Sequence, residues 1–554
     1  MPTPEIPDEV FPFLYEEARC PEVDPTLGIH VDVRREGTPK HRLVTIGDSL
    51  TQGFQSGAIF NTRLSYPAIV AREMGWESNF RYPTYDGPSD AEGSKDGRYG
   101  FPLNLEQLAK RLEKEKGLNS INFLNLIPAL LYTRKFLDTI EGYWERGDGK
   151  YSPIIGKARK INHNLGVYGW DLRNTLSRNA KICKDVIRKN PPQNDRNLIR
   201  LVVENANELA AIRVLNTARD VEYNSLTPLQ AASELGTEGT QETGEGDGIE
   251  TLIIIIGGNN ALGSILTFKV VWTDDDYYGD MDANDEYTVW QPRHFKAELN
   301  KVVEEVKKIR ARHVILGTVP HVTISPLARG VETRDKQRAD NSPYFPYYTF
   351  PWIEDKYFDP KKHPHLTEEN ARAIDCAIDQ YNTAIVEVVR TARQEGRDWY
   401  VFELAGLSER LAHRRYIERP TARPSWWDKV GGEYKLPPEL DELDPKPDTQ
   451  FFRADRTGRK QGGLVALDGI HPTTIGYGIT AQEVIKVMQL AGVKFYEPGG
   501  VTERIGDVKV NFKRLISEDT LISNPPILVN DILAMIGRFD RTLNFFRHLL
   551  PANY

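Results

Sequence analysis

The run Thr251-Leu-Ile-Ile-Ile-Ile256 limits the folds open to this chain more than any other stretch. It is short, continuous and rich in β-branched residues. A strand with one wet face alternates apolar and polar positions; one without alternation is buried on both faces, as inside a parallel sheet. Leu43–Ile46, His313–Val319 and Trp399–Leu404 have the same character, and Ile161–Val167 is a weaker fifth run. Helical stripes lie between the later runs. Phe295, Leu299, Val302, Val306 and Ile309 mark one, and Ile374, Ile378, Tyr381, Ile385 and Val388 a second. A further helix is expected through Ile479, Val484 and Val487. Strands alternating with helices imply right-handed crossovers and a parallel sheet covered on both faces. Binding sites in such sheets form at the carboxyl ends of the strands.

The chain has 554 residues, 40% of them hydrophobic, so a large core is affordable in length. A net charge of −8 argues against a nucleic-acid partner, which favours a basic excess. The three cysteines, Cys20, Cys183 and Cys376, are too far apart for a zinc motif or disulfide framework. No apolar run approaches the ~18 residues of a membrane span, and the first residues lack the pattern of a signal peptide. A soluble cytoplasmic protein is the expectation, with secretion left open if an export signal has been removed. Residues 1–40 read as an N-terminal extension and 41–490 as the main α/β domain. Insertions fall at about 77–160, a candidate cap, and at 179–249 and 405–460. Residues 491–554 form a C-terminal extension whose Leu528, Ile532, Met535, Phe539, Leu543, Phe546 and Leu550 recur at helical spacing. Ala231–Gly248 is polar, acidic and rich in glycine, and predicts a flexible loop.

Two short segments carry chemistry. Gly47-Asp48-Ser49 ends the first strand and precedes a turn into a helix. Asp468-Gly-Ile-His471 places an acid three residues before a histidine at a helix start. A serine hydroxyl needs a base to become a nucleophile, and an imidazole needs a carboxylate to fix its tautomer. Each segment alone also reads as ordinary turn and capping chemistry. Two others add donors. Asn164-Leu-Gly-Val-Tyr-Gly169 brings glycines to a turn, and Gly257-Gly-Asn259-Asn260 follows the strongest strand. A tetrahedral oxyanion needs two or three preorganised N–H groups, which Ser49, Gly169 and Asn259 can offer.

In this order the four segments resemble the blocks of the SGNH hydrolases, also called the GDSL esterase/lipase family. The resemblance covers scattered pieces, about a third of the chain. It implies a flavodoxin-like three-layer α/β/α sandwich with a parallel five-stranded sheet and large insertions. It also implies Ser49 as nucleophile, His471 as base, Asp468 as acid, and Ser49, Gly169 and Asn259 as the oxyanion hole. Gly169 is preferred to Gly166 by alignment with the family block. Asn260 stands where the family has an aspartate, and Trp170 where a small or polar residue is usual. Asp48, Trp170, Asn260 and His321 are candidate pocket residues.

The expected activity is hydrolysis of a carboxylic ester, a small-molecule, lipid or glycan ester, through an acyl-enzyme, with no metal and no organic cofactor. Acyl transfer, carbohydrate deacetylation and phospholipid cleavage use the same machinery, and a non-catalytic binding protein on the fold is the rival of another class. His363-Pro-His365 lacks a carboxylate pattern for a metal and reads as a solvated loop. The sequence does not fix the oligomeric state.

Overall fold

The computed structural model describes residues 6–32, 39–85, 87, 99–116, 126–147, 149, 160–192, 203, 205–243, 248–276, 278, 287–529 and 531. Its centre is a parallel four-stranded sheet of β1 (His41–Gly47), β2 (Ile249–Ile255), β3 (Ala311–Gly317) and β4 (Trp399–Phe402), in that spatial order. Every residue of β2 is buried, as its unbroken apolar run requires. Burying each Leu or Ile side chain there contributes about 1.5–3 kcal/mol.

Side chains alternate across the sheet with the period of two that a strand imposes. Val44, Ile46, Leu252, Ile254, Val314 and Leu316 share one core, while Leu43, Ile253, Ile255 and Ile315 share another. The first core takes the apolar faces of α5 (Pro292–Val306) and α6 (Glu368–Gln394), and the second those of α2 (Tyr66–Glu73) and α8 (Thr474–Leu490). The fold is therefore mixed α/β with helices on both faces. Between these elements lie α1 (Ser49–Gln52), α3 (Pro228–Thr243), α4 (Asn259–Thr267) and α7 (Leu404–Leu411).

The fifth run does not form a full strand. It lies parallel to β1 through a single bridge, Thr45 to Asn164, with backbone hydrogen bonds from Thr45 to His163 and from Leu165 and Val167 to Thr45 and Gly47. His163 and Asn164 also bond to Arg81, which draws this segment toward the chain after α2. The polypeptide thus leaves β1 on one side for residues 163–167 and later returns on the other side as β2. That reversal opens a crevice at the carboxyl end of β1.

Two expectations for the insertions change. Residues 231–243 continue α3 instead of forming a loop, because Leu229, Ala232 and Leu235 supply a buried stripe that outweighs the poor propensity of its glycines. The amphipathic stripe expected from Leu528 to Leu550 falls outside the described residues, except for Leu528 at its start, which is buried against the first core. Trp426 and Trp427, within the 405–460 insertion, are buried beside Tyr416. Among the described residues no helix is long and apolar enough to cross a membrane.

Candidate active site

Ser49 opens α1 directly after β1. Gly47 makes this turn possible: a Cβ there would come within 2.1 Å of Thr51 Oγ1 and 2.3 Å of the Ile255 carbonyl. The Asp48 carboxylate accepts from the Leu50 N–H at 3.0 Å, so the residue before the serine caps the short helix.

The second segment arrives as a tight turn before α8. Gly469 adopts φ +70°, Gly469 N–H donates to the Ala466 carbonyl, and Ala466 N–H donates to the His471 carbonyl. This turn points the Asp468 carboxylate inward, where four N–H groups reach it. Oδ1 accepts from Ile470 and His471 backbone N–H, each at 2.9 Å. Oδ2 accepts from Gly57 N–H at 3.0 Å and lies 3.1 Å from His471 Nδ1. Burial alone would raise the pKa of this fully enclosed group; His471 and these hydrogen bonds outweigh it and hold the carboxyl below its ordinary range. On the other side of the ring, His471 Nε2 is 2.8 Å from Ser49 Oγ. The Phe54 ring, 4.7 Å away centroid to centroid, packs on the imidazole and restricts its rotation. A carboxylate, an imidazole and a hydroxyl are thus joined in one hydrogen-bonded line from segments at opposite ends of the domain.

Three N–H groups are candidate oxyanion donors; Ser49 and Asn259 line the cavity over the hydroxyl, and Gly169 does not. The Ser49 N–H is the first of its helix and has no acceptor within it. Gly169 has φ +75°, a left-handed turn that glycine adopts without strain. Its N–H has no acceptor among the described residues, whereas the Gly166 N–H is already given to Asn164 Oδ1 at 3.0 Å. Asn259 donates one amide hydrogen to the Trp170 carbonyl at 2.8 Å, which orients the side chain and leaves its second hydrogen.

The remaining candidates separate. Asp48 and His321 line a cavity of about 230 Å³ over Ser49, together with Asn259 and His471. Burial pushes the Asp48 carboxyl up to about 6, against the Leu50 hydrogen bond and the pull of His471. Trp170 and Asn260 do not line the cavity. The Trp170 indole is buried and donates to Asn207 Oδ1, and Asn260 is enclosed with its Oδ1 facing the Leu172 N–H. The rest of the wall is mostly apolar: Leu262 comes from α4, Val319 from the loop after β3, and Leu407 and Leu411 from α7. These wall residues and the Gly57 N–H carry no signature in the sequence; only the fold assembles them.

His321 sits in a buried ionic cluster. Nε2 is 2.9 Å from Asp379 Oδ1, while Nδ1 is 2.6 Å from Glu409 and 3.6 Å from Asp375. Arg415 joins Asp375 at 3.0 Å. Burial opposes charge on His321, but the three carboxylates outweigh it and raise its basicity well above that of a free histidine. Among the described residues no group of three His, Cys, Asp or Glu is arranged to hold a metal ion.

A scan against protein-family models finds no match for this chain. A search among curated proteins finds none either.

Proposed function

We propose that this protein is a serine ester hydrolase of the SGNH type, with residues 163–167 as a frayed fifth strand of a flavodoxin-like sheet. One observation carries the reading: the Asp468–His471–Ser49 hydrogen-bonded line ends in a hydroxyl at the floor of an apolar cavity. In the proposed reaction Ser49 Oγ attacks the ester carbonyl as His471 Nε2 takes its proton. Asp468 holds the imidazole through Nδ1 and offsets the charge that forms on it. The oxyanion accepts from Ser49 N–H, Gly169 N–H and the free hydrogen of the Asn259 amide. Collapse expels the alcohol, protonated by His471, and water then releases the acid by the same route.

The apolar wall favours an acyl chain over a glycan as the group that fills the cavity. An acyltransferase would share every residue named, with an alcohol in place of water. Turnover of 4-nitrophenyl esters from acetyl to dodecanoyl tests the reading: activity should peak at an intermediate chain length. Activity confined to acetyl esters would favour deacetylation, and ester products formed from added alcohol would favour transfer.

A further inference from the structure

A second cavity, of about 250 Å³, adjoins the apolar one; Ile324, Ser325, Pro326 and Thr449 line both. The shared wall is tied to the catalytic turn, since Ser325 Oγ donates to the Gly469 carbonyl at 2.5 Å and Leu327 N–H donates to the same oxygen at 3.0 Å. Its chemistry is the reverse of its neighbour's. Four guanidinium groups line it, those of Arg329, Arg414, Arg415 and Arg453, against one carboxylate, Glu418.

Their fixed partners divide these four. Arg415 is held by Asp375 and Arg329 by Asp355. Arg329 nevertheless keeps a buried Nε without a hydrogen-bond partner. Arg414 donates to the Gly330 carbonyl at 3.2 Å and stacks on Phe345, and has no carboxylate within ion-pair distance among the described residues. Arg453 is exposed on a short hairpin and likewise has none. Burial and the neighbouring Arg329 lower the basicity of Arg414, so that an added anion would relieve crowding of like charge.

We infer that the arginine-lined cavity binds a phosphate oxoanion carried on the alcohol side of the ester. Resting on the esterase reading, this makes the substrate an amphiphile: an acyl chain lies in the apolar cavity and a phosphorylated alcohol reaches over the shared rim to Arg414, Arg453 and Arg329 Nε. Hydrolysis breaks the acyl carbon–oxygen bond and adds water, giving a carboxylic acid and the phospho-alcohol, with the phosphate ester untouched. Guanidinium forks match phosphate oxygens in geometry as well as charge.

The test compares octanoylglycerol phosphate with octanoylglycerol and with an octanoyl ester of glyceric acid. The wild type should favour the phosphate ester over octanoylglycerol in kcat/KM by at least roughly tenfold, the scale of one charge-assisted hydrogen bond. Arg453→Gln and Arg414→Gln should each remove most of that preference through KM, leaving octanoylglycerol turnover unchanged. Inorganic phosphate should compete with the phosphate ester and leave octanoylglycerol turnover untouched. Equal turnover of the two glycerol esters, a preference that survives both substitutions, or a stronger preference for the glycerate ester would overturn the inference. So would inorganic phosphate acting equally on both glycerol esters, which would mark an effector site. Calorimetry of octanoylglycerol phosphate binding to Ser49→Ala separates the two claims. If no ester is turned over, binding that depends on Arg453 and Arg414 keeps the anion site while the esterase reading falls; absence of binding removes both.

Discussion

Two buried histidines border the same cavity, each touching carboxylates, and they are built for different work. His471 has one carboxylate at Nδ1 and a hydroxyl at Nε2. His321 is hydrogen-bonded to Asp379 through Nε2, and its Nδ1 lies beside both Glu409 and Arg415, with Asp375 close by. An imidazole enclosed with three carboxylates has its basicity raised and serves as a fixed cation. One with a single carboxylate and a free nitrogen toward a hydroxyl can take and return a proton. Proximity of acid and histidine is therefore a poor guide to catalysis by itself. What the second nitrogen faces decides.

Substitutions can break this contrast, beginning with the largest effect. Ser49→Ala should lower kcat for a 4-nitrophenyl ester by about 10⁶ while leaving thermal unfolding within a few degrees of wild type. Asp468→Asn should cost on the order of 10⁴ in kcat, because an amide at Oδ2 disturbs the histidine tautomer, and steady-state kinetics at neutral pH would read it. Loss of one oxyanion donor is milder: Asn259→Ala should cost roughly 10²–10³ in kcat with little change in KM.

His321→Gln should act on stability in place of chemistry. Removing one member of a buried charge cluster costs about 3–5 kcal/mol, visible in denaturant unfolding. Its pH dependence has a definite sign. The folded-state basicity is raised, so the contribution is complete below the unfolded value of about 6.5 and is lost only as pH climbs through the higher folded value. The stability gap between wild type and His321→Gln should therefore hold at neutral pH and narrow in alkali. Asp48 gives the smallest effect. Its folded pKa is raised from 3.8 to about 6, so wild type should lose ground to Asp48→Asn as pH rises between those values, with no further change above. A melting-temperature difference independent of pH would contradict the buried carboxylate as described.

The sheet and both turns of the candidate site are legible because each depends on local pattern. Unbroken apolar runs marked β1 to β4, and Gly47 and Gly469 sit where the backbone needs a missing Cβ or a left-handed turn. The fifth run, the weakest in the sequence, pairs with β1 through one bridge and three backbone hydrogen bonds, while its His163 and Asn164 N–H groups turn to the Arg81 carbonyl. Composition points to a loop over residues 231–243, but tertiary burial of Leu229, Ala232 and Leu235 outweighs it and α3 continues. Sequence neighbourhood places Trp170 beside a pocket, yet its indole turns into the core toward Asn207. Gly57, Leu407 and Leu411 reach the site only through folding, and single residues of those types announce nothing.

The central claim is that His471 makes Ser49 a nucleophile. Reaction with a fluorophosphonate, followed by peptide mapping by mass spectrometry, tests it most directly. One adduct is expected, on Ser49, absent in Ser49→Ala and strongly slowed in His471→Ala. An unlabelled Ser49, or labelling at the same rate without His471, would contradict it.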